Sequence, residues 1–101
     1  MTLPIIVPPE AEAQIQVIES WWRANREAAP ELFSQELAEA FANIRVAPEA
    51  GHRYPHRTRK GVRRVPLRST RHHVYYVASH ERVIILAVWG SVKKRGPKLS
   101  K

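Results

Sequence analysis

The sequence has no cysteine, a single methionine and four glycines, and its longest apolar run, Val83 to Trp89, is seven residues. Without cysteine there is no disulfide framework and no thiolate zinc site, and a reducing cytosol is the expected compartment. Seven residues fall far short of the roughly 20 that cross a bilayer as a helix, so no membrane partner is expected. The opening stretch, Met1 to Pro9, lacks the basic lead and small-residue cleavage site of a secretory leader, and none is expected. No internal repeat and no low-complexity segment interrupts the chain. Its 101 residues are expected to form one domain, 1–101, with a flexible basic tail from about residue 93.

Acidic side chains are what the second half lacks. Residues 1–50 carry three arginines (Arg23, Arg26, Arg45) against eight glutamates, a balance of −5. Residues 51–101 carry fourteen lysines and arginines against Glu81 alone, a balance of +13, and all five histidines lie there as well. Charge segregated this strongly points to a surface that meets a polyanion or an acidic protein.

The apolar pattern gives the elements. Leu3-Pro4-Ile5-Ile6-Val7 alternates as a short strand, at an edge because Pro4 has no N–H, and Pro8-Pro9 stops it. From Glu10 to about Arg26, residues Ala11, Ile15, Ile18 and Trp22 form one helical stripe. Pro30 suits the first turn of a second helix, whose stripe is Phe33, Leu37, Ala40, Phe41 and Ile44. Pro48 to Lys60 breaks all periodicity and reads as a basic loop. Three strands follow: Val62–Leu67, with Pro66 at a bulge or edge, then His72–Ala78, then Val83–Trp89, apolar on both faces as in a central strand. The order βααβββ predicts an α+β domain, a helical hairpin packed on a mostly antiparallel four-stranded sheet.

Several residue groups bear on chemistry. Cleaving RNA through its 2′-hydroxyl needs a base, cations for the phosphate and an acid for the leaving oxygen. His72 or His73 with Arg64, Arg68 and Arg71 includes those types. Adjacent strand residues face opposite ways, so only one of the two histidines shares a face with any one site. Alternatively the pair simply straddles the sheet, one ring toward the helices and one toward solvent. Tyr75, Tyr76 and Trp89 have the rings to stack on bases, although their apolar strands favour a core role for at least two. Trp22 belongs to the first helical stripe. Trp21 lies about 100° further round, where it either marks a docking groove or widens the core stripe. His52 and His56 are spaced like a ligand pair, but Pro55 and the lack of nearby carboxylates argue against it; no metal and no cofactor is expected.

The segments Ile18–Asn25 (IESWWRAN), Ala29-Pro30-Glu31-Leu32-Phe33, Gly61–Leu67 (GVRRVPL), Thr70–Tyr76 (TRHHVYY) and Val83–Gly90 (VIILAVWG), with the tail Arg95-Gly96-Pro97, resemble the RelE/ParE toxin superfamily in order and spacing. The resemblance spans nearly the whole chain. It implies the toxin half of a type II toxin–antitoxin pair, held inactive by an antitoxin encoded beside it. RelE-type members cut mRNA in the ribosome with basic sheet residues and a C-terminal arginine and tyrosine; ParE-type members lack that set and are associated with poisoning DNA gyrase. Here Arg64 stands for a second-strand lysine, but Pro66 occupies the next such position. His72, beside Arg71, stands for the third-strand arginine. Val92 lies where an arginine would follow Gly90, and no tyrosine follows Tyr76. The chain therefore resembles the ParE side.

The resulting expectation is a non-enzymatic, ParE-like cytoplasmic toxin that binds and poisons DNA gyrase. Arg71, His73, Lys93, Lys94, Arg95 and Lys98 would face the target. Trp21, Trp22, Phe33, Leu37 and Trp89 would face an acidic, partly disordered antitoxin, through which alone the chain would reach operator DNA. Two alternatives stay open. One is a RelE-like, ribosome-dependent mRNA endonuclease using His72, Arg71, Arg64 and Arg68. The other is a nucleic-acid-binding module that regulates its own operon.

Overall fold

A computed structural model of the chain describes residues 2–99. In order they form β1 (Ile5–Ile6), α1 (Pro9–Asn25), α2 (Leu32–Val46), a 3₁₀ turn (Pro48–Ala50), β2 (His52–Arg53), β3 (Arg63–Leu67), β4 (His72–Ala78) and β5 (Val83–Gly90). The strands lie in the order β1-β5-β4-β3-β2, with β1 parallel to β5 and every other pair antiparallel. This is the expected α+β arrangement, a helical hairpin on a mostly antiparallel sheet. The sheet has a fifth strand that the pattern did not announce. Two residues of the segment read as an irregular loop, His52 and Arg53, pair with Arg64 and Arg63.

Local chemistry accounts for the boundaries. Proline at the first position of α1 needs no N–H partner there, and Glu10 and Glu12 sit where the helix dipole favours negative charge. The second helix begins at Leu32 rather than Pro30, because the Leu32 N–H donates to the Ala29 carbonyl (3.2 Å) and closes a turn just before the helix. Flanked by Pro4 and Pro8, β1 is held mostly through its surroundings. The Pro4 carbonyl accepts from the Val83 N–H (2.9 Å), and Arg45, at the end of α2, bonds both backbone groups of Leu3. At Pro66 the strand β3 is the sheet edge, since β2 covers only Arg63 and Arg64, so the missing N–H forfeits no ladder bond.

The sheet separates two apolar clusters. On the helix side Ala11, Ile15, Phe33, Leu37 and Ile44 meet Leu67, Val74, Tyr76, Val83, Ile85 and Val88. On the other face Val62, Tyr75, Ala87 and Leu99 are buried, with Tyr54, Val77, Leu86 and Trp89 packed around them. A bulge creates this division. Tyr75 pairs with Ala87 but Tyr76 with Ile85, which leaves Leu86 as an extra residue in β5. Beyond the bulge the alternation changes phase, so Val88 joins the helix side and Trp89 the other.

The β3–β4 turn is tied to α2 by one carboxylate. Glu36 accepts from the Ser69 N–H (2.8 Å), the Thr70 N–H (3.1 Å) and the Thr70 hydroxyl (2.7 Å). Burial alone would raise its pKa, but the hydrogen bonds from Thr70 and Ser69 outweigh it and hold the carboxyl below its ordinary value. A folded-state pKa below the unfolded one gives stability that is whole above about pH 5 and is lost as pH falls through the folded value. Glu36→Ala is expected to cost about 1–3 kcal/mol at neutral pH. Urea denaturation at pH 7 and again at pH 3 should show that difference shrinking in acid.

Candidate functional site

The face of the sheet away from the helices is built from alternate residues of β3, β4 and β5, and it carries a run of rings and cations. The Arg64 guanidinium lies 5.0 Å from the Tyr54 ring centroid and 6.0 Å from that of Tyr75. Tyr54 and Tyr75 meet edge-on at 4.9 Å, and His73 approaches Tyr75 at 6.1 Å. Burial pushes the Tyr75 hydroxyl up in pKa, partly offset by the Arg64 side chain. Burial, and then the neighbouring Arg64 and His72, lower the pKa of His73.

Residues 93–99 of the segment expected to be a flexible tail lie across this face. The Trp89 Nε1–H donates to the Arg95 carbonyl (2.7 Å), and the Lys93 ammonium sits 4.5 Å from the Trp89 ring centroid. Gly96 passes so close to Tyr54 that a Cβ there would stand 2.6 Å from the hydroxyl. Leu99, only 4% exposed, completes the second apolar cluster. Ser100 and Lys101 lie outside the described residues. Lys94, Arg95 and Lys98 are exposed along the strap, and with Lys93 they give the expected target-facing cations one common surface.

Arg71 stands at the adjoining end of the sheet, in the β3–β4 turn. Its φ is 63°, a left-handed conformation unfavourable to a side chain with a Cβ. Two backbone bonds hold it there: its N–H donates to Leu67 (2.8 Å) and its carbonyl accepts from Ser91 (2.9 Å). Arg71→Gly is expected to leave stability unchanged or raise it by up to about 1 kcal/mol while removing an exposed cation. A thermal melt set beside a toxicity assay checks both halves of that expectation.

His72 and His73 fall on opposite faces, as strand alternation requires. His72 turns toward the helices, its ring 5.3 Å from that of Phe33, and its buried Nδ1 has no hydrogen-bond partner among the described residues. Burial lowers its pKa, against the opposing influence of the Thr70 backbone and Glu36. The set expected for RNA cleavage, His72 with Arg71, Arg64 and Arg68, is therefore divided, while His73 shares the face of Arg64 and Tyr75. Arg64 is on the open face, His72 beneath the helices, and Arg68 and Arg71 in the turn.

The residues expected to meet an antitoxin also divide. Phe33 (0% exposed) and Leu37 belong to the core, where their role is to seat the hairpin. Trp22 packs partly into that core, while Trp21 is 47% exposed with the Arg26 guanidinium 4.8 Å from its ring centroid. Beside them runs a groove of about 330 Å³ between α1 and β5, lined by Gln14, Val17, Ile18, His72, Val88 and Trp89. Only Val83 and Ile84 of β5 are paired with β1. Past them the strand's outer edge has no strand partner among the described residues, and Gln14 Oε1 takes the Val88 N–H (2.9 Å). Sequence reasoning missed both Tyr54 and this edge. A tyrosine among arginines was the one available signal for the first, and nothing local signals the second.

A helical hairpin on a mostly antiparallel five-stranded sheet is an α+β fold consistent with the small toxins of the RelE/ParE superfamily. Residues 5–93 match the family model described as the ParE toxin of the type II toxin–antitoxin system, parDE. The chain belongs to that family and is a toxin of a type II toxin–antitoxin system, which implies an antitoxin partner. Among curated proteins no match was found. No helix among the described residues is long and apolar enough to cross a membrane.

Proposed function

We propose that this toxin acts by binding rather than by cutting RNA, that its target is DNA gyrase in the cytoplasm, and that its antitoxin neutralises it. The observation that carries the reading is the placement of His72 against Phe33, on the opposite side of the sheet from Arg64. Arg64, the strand arginine expected to work with it, is on the far face, and the cation that shares a groove with His72 is Lys93. Arg71, Lys93, Lys94, Arg95 and Lys98 instead make a cationic surface, with His73 and the aromatic rings behind it, suited to holding an acidic partner. The antitoxin is assigned to the groove between α1 and β5. Its apolar side chains would cover Trp21, Trp22, Val17 and Trp89, and its acidic residues would be drawn by the basic half of the chain, which speeds encounter.

Induced expression of the chain alone, followed by pulse labelling of DNA and protein synthesis, tests this. DNA synthesis is expected to stop first, with an SOS response, and co-expressed antitoxin is expected to restore growth. An early stop in translation with cut transcripts would overturn the binding mechanism. A chain lacking residues 96–101 should be less toxic while still bound by the antitoxin, because the lining of the groove stops at Lys93 and includes none of the described residues of that segment.

A further inference from the structure

We propose that the cleft between the 48–62 segment and the β4–β5 turn is a binding site for single-stranded nucleic acid, gripped through its phosphates. The cleft has a volume of about 590 Å³ and is lined from two stretches of chain, within 48–63 and 78–80, the first of which carries its arginines and lysine. Arg53 comes from β2, Arg59 and Lys60 from the loop before β3, Arg63 from the start of β3, and the His80 ring from the β4–β5 turn; Glu49 is the one carboxylate in the lining. Arg53, Lys60 and His80 are exposed, and among the described residues no carboxylate pairs with Arg53, Lys60 or Arg63.

The strand register concentrates this charge further. Arg53 lies directly opposite Arg63 in the β2–β3 ladder, and like charges facing each other across a ladder are destabilising. Arg63 donates to the Gly51 carbonyl (2.9 Å), a single acceptor for a guanidinium with five N–H groups. A strand of phosphates would relieve the repulsion and occupy the remaining donors. One wall supplies rings as well: Tyr54 and His56 stand near-parallel, 6.5 Å apart at 26°, a surface on which a base can stack. The site is a concave slot at the end of the sheet opposite Arg71 and Lys93. A flexible single strand can enter such a slot, whereas the stiff, convex backbone of a duplex cannot follow it.

Fluorescence anisotropy of the full chain with a labelled mixed-sequence 12-nucleotide DNA, at several salt concentrations, tests the proposal. The double variant Arg53→Ala/Lys60→Ala is expected to bind at least tenfold more weakly. Its log–log salt slope should fall by about 1.4, roughly 0.7 for each phosphate that is no longer neutralised. Arg23→Ala/Arg26→Ala removes the same charge from the helical layer and should stay within about threefold of the parent. Equal weakening of the two doubles would reduce the effect to net charge and overturn the proposal. So would duplex of the same length binding as tightly as the single strand, or tripolyphosphate competing as well as the 12-mer. Should the cleft double variant fail to fold, the His56 and His80 ring signals of the parent must move on titration with the 12-mer; unmoved signals overturn the site.

Discussion

Phe33→Ala is expected to cost about 3–5 kcal/mol, a large share of the 5–15 kcal/mol that holds a small domain together. The ring is wholly buried between the helical hairpin and the sheet and packs edge-on against His72. Its loss leaves a cavity that the surrounding Leu37, Leu67 and Val74 cannot fill without moving strands. Equilibrium urea denaturation should show the midpoint falling with an unchanged slope. The informative companion is Trp21→Ala. That ring is half exposed, so its removal should change stability by about 0.5 kcal/mol or less, yet it should weaken antitoxin binding by more than tenfold if the groove beside α1 is the docking site. Two aromatic residues that sequence reasoning placed in one antitoxin-facing set are thus expected to fail in opposite ways.

Gly51→Ala should destabilise the protein by about 2–4 kcal/mol, although it adds only a methyl group. The Tyr76 hydroxyl is buried beneath the 3₁₀ turn, donating to the Pro48 carbonyl (2.7 Å) and accepting from the Gly51 N–H (3.2 Å). Burial raises its pKa, offset in part by the Gly51 bond. A Cβ at position 51 would overlap that hydroxyl and stand 3.0 Å from the ring carbon bearing it, so either the turn or the ring must move. Tyr76→Phe alone should cost about 1–3 kcal/mol through two unpaired backbone groups. The double variant should be less unstable than the sum of the two, because the hydroxyl that clashes is gone. Thermal melts of the four proteins close that cycle.

Much of the fold was legible because it depends on local periodicity. The stripes Ala11-Ile15-Ile18-Trp22 and Phe33-Leu37-Ala40-Phe41-Ile44 each pick one helix face that packs on the core, with Ile18, Trp22, Ala40 and Phe41 partly buried at its margin. Alternation correctly separated His72 from His73. What stayed hidden depends on register or on distant partners. His52–Arg53 is too short to carry a pattern and becomes a strand only because β3 offers it a ladder. Phe33 and Leu37 look like docking residues on an isolated hairpin; the sheet beneath them makes them core. The strap is basic by composition, and nothing local in Leu99 announces that it fills a gap between Val62, Tyr75 and Ala87. Tyr54 sits among arginines in a stretch without periodicity, and its place against Arg64 and Tyr75 comes from the tertiary fold.

The extra residue Leu86 has an outcome of its own. The two halves of β5 are set in opposite parity: Val83 and Ile85 point under the helices, while Ala87 and Trp89 point away. Deleting Leu86 would therefore close the bulge and restore plain alternation, leaving Val88 under the helices and Trp89 outward. A second residue lost would turn Trp89 beneath α1 and Val88 outward, and the strap would lose its anchor on the indole. The bulge thus acts as a spare residue, and the strand tolerates one deletion in length before its two faces exchange.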